Sequence, residues 1–103
     1  MVNGIREKAK DIMTINQYVS QAQAKNIPLV DVRPSRMYKQ GHLPGAINIP
    51  FNQIETASIT PGSYLYCVSG YHAGMAQEIL AKRGIETTNI GGMESYTGPV
   101  EKS

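Results

Sequence analysis

Apolar residues along the chain follow two spacings, a recurrence every three or four residues and short unbroken runs, and their alternation predicts the elements. Ile15, Tyr18, Val19 and Ala22 recur at helical spacing behind Thr14, a residue suited to an N-cap. A helix is therefore expected from Ile15 to about Lys25, ended by Asn26. Ile27-Pro28 turns the chain into Leu29-Val30-Asp31-Val32, a β-branched run read as a short buried strand. Pro34 to Gln40 reads as one or two helical turns, with Pro at the first position and Gly41 as the stop. Ala46-Ile47-Asn48-Ile49 predicts a second strand between Pro44-Gly45 and Pro50, Phe51 to Ala57 a helical stretch, and Pro61-Gly62 a turn. Ser63 to Cys67 predicts a third strand, and Gly70 opens a helix to Lys82 or Arg83 with Ala76, Ile79 and Leu80 inward and Gly84 as the stop. Thr87 to Ile90 predicts a fourth strand, and Gly91-Gly92 leads into a last helical turn around Met93 to Tyr96.

Strands alternating with helices favour an α/β fold, a small parallel β-sheet flanked by helices on both faces. The 103 residues suffice for one core, so a single domain over 1–103 is expected, without internal repeats. A hydrophobic fraction of 41 % argues against disorder. The net charge of +2 is too small to argue for a nucleic-acid partner or an anionic membrane. No stretch approaches the roughly 18 apolar residues of a membrane helix. Met1 to Asp11 carries Arg6, Lys8 and Lys10 with no apolar run behind them, so no signal peptide is expected and the cytoplasm is the expected compartment.

Cys67 is the single cysteine, which excludes an internal disulfide and a multi-cysteine metal site. It falls where the third strand gives way to a helix, at the carboxyl edge where parallel α/β sheets bind ligands. The next residues, Val68-Ser69-Gly70-Tyr71-His72-Ala73, form the turn into that helix. Free N–H groups and the helix dipole make such a turn an anion cradle, and the same field favours a thiolate over a thiol. Gly70 permits a tight turn or a positive φ; Ser69 and Tyr71 offer hydroxyls, and His72 an imidazole. Placement alone leaves two readings of Cys67 open, an activated nucleophile and a buried, inert thiol.

Further motifs bear on that choice. Asp31-Val32-Arg33 through Tyr38, followed by Gly41-His42-Leu43-Pro44-Gly45-Ala46-Ile47-Asn48-Ile49-Pro50, resembles the signature of the rhodanese family. Cys67-Val68-Ser69-Gly70-Tyr71-His72 is similar to its six-residue active-site loop, and Gly91-Gly92-Met93-Glu94-Ser95-Tyr96 to its closing Gly-Gly segment. The likeness runs in order from about Ile12 to Tyr96.

The resemblance implies a parallel sheet with flanking helices and a sulfur-transfer activity without metal or cofactor. Cys67 would take the outer sulfur of a small anionic, thiosulfate-like donor and hold it as a persulfide. The amides from Val68 to Ala73 would stabilise the outer sulfur until cyanide or a thiol, including a protein thiol, removes it. With no second cysteine in the chain, the acceptor must come from outside. Asp31, Arg33 and His42 are expected to fix turns by ion pairing and backbone hydrogen bonds. Three positions depart from the family pattern: Met37 for a common Glu, Tyr96 for a usual Trp, and His72 for a frequent Arg. A phosphatase or arsenate reductase would need Arg six positions after the cysteine, where this chain has Ala73, and the first later Arg is Arg83. Two rival functions stay compatible with the same residues: a non-catalytic interaction module, and a persulfide carrier serving a partner protein.

Overall fold

The computed structural model describes residues 13–103; the reading of Met1 to Asp11, and Ile12 as the start of the likeness, lie outside the described residues. Helix α1 (Ile15–Lys25) begins at Thr14 in a reciprocal capping box: the Thr14 hydroxyl accepts the Gln17 N–H, and the Gln17 side chain accepts the Thr14 N–H. Asn26 closes it in the left-handed conformation, φ 56°, donating to the Ala22 carbonyl. Then come β1 (Leu29–Asp31), α2 (Ser35–Gln40), β2 (Ile47–Asn48), a 3₁₀ turn at Phe51–Gln53, β3 (Tyr64–Cys67), α3 (Tyr71–Lys82), β4 (Thr88–Gly92) and a 3₁₀ turn at Met93–Ser95.

All pairings in the four-stranded sheet are parallel, in the order β2-β1-β3-β4. The period-two alternation of a strand sorts the buried residues of β3 between two cores. Tyr64 and Tyr66 pack with Ile15, Val19 and Ala22 of α1, whereas Leu65 and Cys67 pack with Ala73, Ala76 and Leu80 of α3. Helices thus cover both faces, as the sequence pattern predicts. The chain steps outward from β1 in one direction and from β3 in the other. A crevice opens where those directions diverge, beyond the carboxyl ends of β1 and β3.

Beyond one-residue differences at the ends of the strands, three boundaries differ from the sequence reading. The stretch from Phe51 to Ala57 is regular only over Phe51–Gln53, because Ile54 is drawn fully into the core and its carbonyl accepts from Arg83 Nη1 at 2.7 Å instead of extending a helix. Pro34 stands as the N-cap of α2 rather than inside it. Gly91 and Gly92 belong to β4 itself: after an irregularity between Leu65 and Cys67, Gly92 pairs with Cys67.

Candidate functional site

Cys67 ends β3 with its side chain 3 % exposed. Gly70 follows at φ 99° and ψ −10°, a left-handed conformation that an L side chain rarely adopts, and caps α3. This turn aims two amides at the sulfur: the Gly70 N–H donates to Cys67 Sγ at 3.0 Å and the Ala73 N–H at 3.4 Å. The Tyr71 N–H instead meets Ser69 Oγ at 3.4 Å. Of the residues expected from sequence to cradle a sulfur, Gly70 and Ala73 are thus the two whose amides reach Sγ. Val68 and Ser69 are exposed at the turn, and Tyr71 projects outward with 68 % exposure. His72 lies on the surface of the first turn of α3, its ring edge-on to Phe51 with centroids 5.5 Å apart.

The turn is held from behind by β4 and the 3₁₀ turn that follows it. Asn89 Nδ2 donates to the Gly70 carbonyl at 2.9 Å, and the Glu94 N–H to the Val68 carbonyl at 3.1 Å. Gly92 lies so close that a Cβ there would overlap the Val68 carbonyl. Beside Cys67 opens a cavity of about 600 Å³, lined by Val32, Met37, Phe51, Val68 and His72 together with Cys67 itself. Its walls come from the segments that follow β1, β2 and β3, the crevice that the strand order creates.

Asp31 and Arg33 form the frame beside this crevice. Asp31 is fully buried and Arg33 nearly so, with Nη2 2.7 Å from Asp31 Oδ2 and Nε 3.0 Å from both carboxylate oxygens. Arg33 Nη2 also donates to the Gly41 carbonyl at 2.7 Å, tying the end of β1 to the end of α2. Burial opposes the guanidinium charge, but the hydrogen bonds and charge of Asp31 outweigh it and hold the Arg33 pKa above its ordinary value. Burial, and then the Asp31 charge, push the Tyr66 phenol far above the usual tyrosine range, and its oxygen accepts the Leu43 N–H at 3.1 Å. His42 is buried, stacked on Tyr38 at 3.8 Å, with Nδ1 2.8 Å from the Tyr38 carbonyl. The expected structural roles of Asp31, Arg33 and His42 match these contacts.

A sulfur that receives two N–H groups, on a residue that lines a cavity, is suited to meeting a small anionic electrophile. Asn89 and Phe51 carry no sequence signal for their places in this site, and Met37 carries only its departure from the family pattern.

A family model described as a rhodanese-like domain matches residues 14–98. The thiosulfate sulfurtransferase PspE of Escherichia coli (strain K12) is 35 % identical over 80 residues, 71 % of this chain and 77 % of that protein. The thiosulfate:glutathione sulfurtransferase of Saccharomyces cerevisiae is 25 % identical, over 85 % of this chain and 81 % of that protein. Among solved structures, a rhodanese with anions from E. coli superposes with a TM-score of 0.63 at 32 % identity, covering 73 % of this chain and 96 % of that one.

Proposed function

The chain belongs to the rhodanese-like domain family, and on that premise we propose that it is a sulfurtransferase working through a persulfide on Cys67. The Cys67 thiolate attacks the sulfane sulfur of a thiosulfate-like donor. The donor's S–S bond breaks, and sulfite leaves with the bonding pair. The outer sulfur on Cys67 carries the resulting charge, within reach of the Gly70 and Ala73 amides. An acceptor, cyanide or a thiolate, then attacks that outer sulfur, and the bonding pair returns to Cys67. The two half-reactions share one cradle, so ping-pong kinetics follow.

The observation that carries this reading is the convergence of the Gly70 and Ala73 N–H groups on the Sγ of Cys67, a residue that lines the cavity. With His72 in place of a permanent cation, those amides and the start of α3 supply the anion stabilisation. The domain is proposed to act as one unit in a reducing cytoplasm, which keeps a lone thiol free. No helix among the described residues is long and apolar enough to cross a membrane.

The test is intact mass after incubation with thiosulfate. The wild-type chain gains one sulfur, and Cys67→Ser gains none. A wild-type chain that never gains sulfur, from thiosulfate or from a persulfide donor, removes the reading. A second reading, a carrier that exchanges sulfur with a partner protein, is favoured by the exposure of Val68 and Tyr71 beside the cradle, 42 % and 68 %. Sulfur loading from a desulfurase but not from thiosulfate would select it.

A further inference from the structure

The cavity over Cys67 is much larger than the reaction proposed for thiosulfate and cyanide requires. At about 600 Å³ it lies within the range of sites that enclose whole organic ligands. Its walls are mainly apolar: Val32, Met37, Phe51 and Val68 line it together with Cys67. The polar side chains among them, Ser35, Asn52 and Gln53, are uncharged. No Asp, Glu or Lys lines it among the described residues. The guanidinium of Arg33 also borders the cavity, but it is committed to Asp31 and to the Gly41 carbonyl, so the pair brings no net charge. His72 is the remaining titratable wall group besides Cys67, and it lies against the Phe51 ring.

An acceptor whose body carries a carboxylate or sulfonate against these side chains, away from the Gly70 and Ala73 amides that serve the anionic donor, loses hydration there and meets no opposite charge, which is costly. An uncharged aryl or alkyl body gains contact with Met37, whose flexible thioether adapts to ring faces and edges. We propose that the cavity binds the apolar body of a small organic thiol, which is the preferred sulfur acceptor, and that Met37 is the residue that sets this preference. The proposal rests on the Cys67 persulfide reading and names its second substrate. The acceptor thiolate attacks the outer sulfur of Cys67–S–S⁻; a sulfur–sulfur bond forms to the acceptor and the bond to Cys67 breaks. The products are the acceptor persulfide anion, R–S–S⁻, and the Cys67 thiolate. Sulfur moves as a neutral atom, and no oxidant or reductant is consumed.

The experiment loads the chain with thiosulfate, verifies the gain of one sulfur by mass, and follows unloading by benzyl mercaptan and by its para-carboxylate analogue at equal thiolate concentration. Benzyl mercaptan is expected to unload Cys67 about tenfold faster than the carboxylate, the size of discrimination that an apolar pocket supplies. In Met37→Glu the ratio should rise further, because the added carboxylate repels that of the analogue; in Met37→Lys it should fall to near one or invert. Equal rates for the two thiols in the wild-type chain overturn the proposal, and a ratio unmoved in both variants overturns the role of Met37. Benzyl methyl sulfide, which cannot accept sulfur, is titrated separately into the unloaded chain. It should shift the NMR signal of the Met37 methyl group, and an unmoved signal overturns the pocket assignment. A chain that never loads defeats the Cys67 reading, whereas one that loads but shows equal unloading rates defeats only the acceptor class.

Discussion

The Asn89 side chain clips Gly70 to Gly91: Nδ2 donates to the Gly70 carbonyl at 2.9 Å, while Oδ1 accepts the Gly91 N–H at 3.0 Å. Gly70 is also a residue whose own N–H reaches Cys67 Sγ, so the clip fixes the cradle from the strand next door. Gly74 leaves room for it, since a Cβ there would come 3.3 Å from Asn89 Nδ2. Asn89→Ala removes both bonds, at a net cost of about 0.5–1.5 kcal/mol each. Single-turnover sulfur loading at 25 °C is expected to slow about tenfold, more than the small loss of stability explains. A loading rate equal to that of the wild-type chain would show that Asn89 does not position the cradle.

Gly92→Ala tests the contact between β4 and the turn. The new Cβ overlaps the Val68 carbonyl and crowds Ser69 Cα, both backbone atoms that cannot rotate away. A loss of about 3 kcal/mol or more in denaturant unfolding is expected. Gly45→Ala is the control, with open space around its Cβ and only the strain of φ 80°, about 1–2 kcal/mol. The comparison fails if the two variants lose the same stability.

Asp31→Asn leaves the buried Arg33 without its counter-charge. A loss of about 3–5 kcal/mol is expected, which for a domain of this size lowers Tm by more than about 10 °C. The double variant Asp31→Leu with Arg33→Met should recover a large part of it, because the cost lies in the orphaned charge. Thermal melts of Asp31→Leu, Arg33→Met and the double variant decide the matter; strictly additive losses would contradict it.

Alkaline pH tests Tyr66. Below about pH 10 its phenol is protonated in both folded and unfolded chains, so stability does not depend on it. Above that, the unfolded chain releases a proton that the folded chain keeps, because burial and the Asp31 charge raise the folded pKa. Stability then falls by about 1.4 kcal/mol per pH unit from this group. Tyr66→Phe should be less stable at pH 8, having lost the bond from Leu43, yet decline less steeply between about pH 10.5 and 11.5. Parallel slopes in urea titrations would refute the assignment.

The elements are legible in the sequence because local chemistry writes them: Thr14 and Asn26 end α1 by capping, and the fully buried run of β3 follows from cover on both sides. Cys67 and Gly70 are legible for the same reason, being neighbours across one turn. Asn89 is not, since its partner Gly70 lies 19 residues away and nothing near Asn89 announces a reach across strands. Gly92 reads as a loop residue because its cause, the approach of Val68, is also non-local. Phe51 and Met37 become wall residues only when the segments after β1 and β2 meet over Cys67.

The backing of the cradle by Asn89, Gly92 and Glu94 ties reactivity to the order in which the chain is completed. Parallel pairing requires a crossover between partners, so β4 can join β3 only after α3 has been made. During synthesis the Cys67 turn therefore emerges without these supports and gains them only once residue 94 has appeared and docked. Support of the Cys67 turn thus waits on chain far downstream of it, and a half-made chain that ends before residue 94 carries the cysteine without the contacts that back its turn.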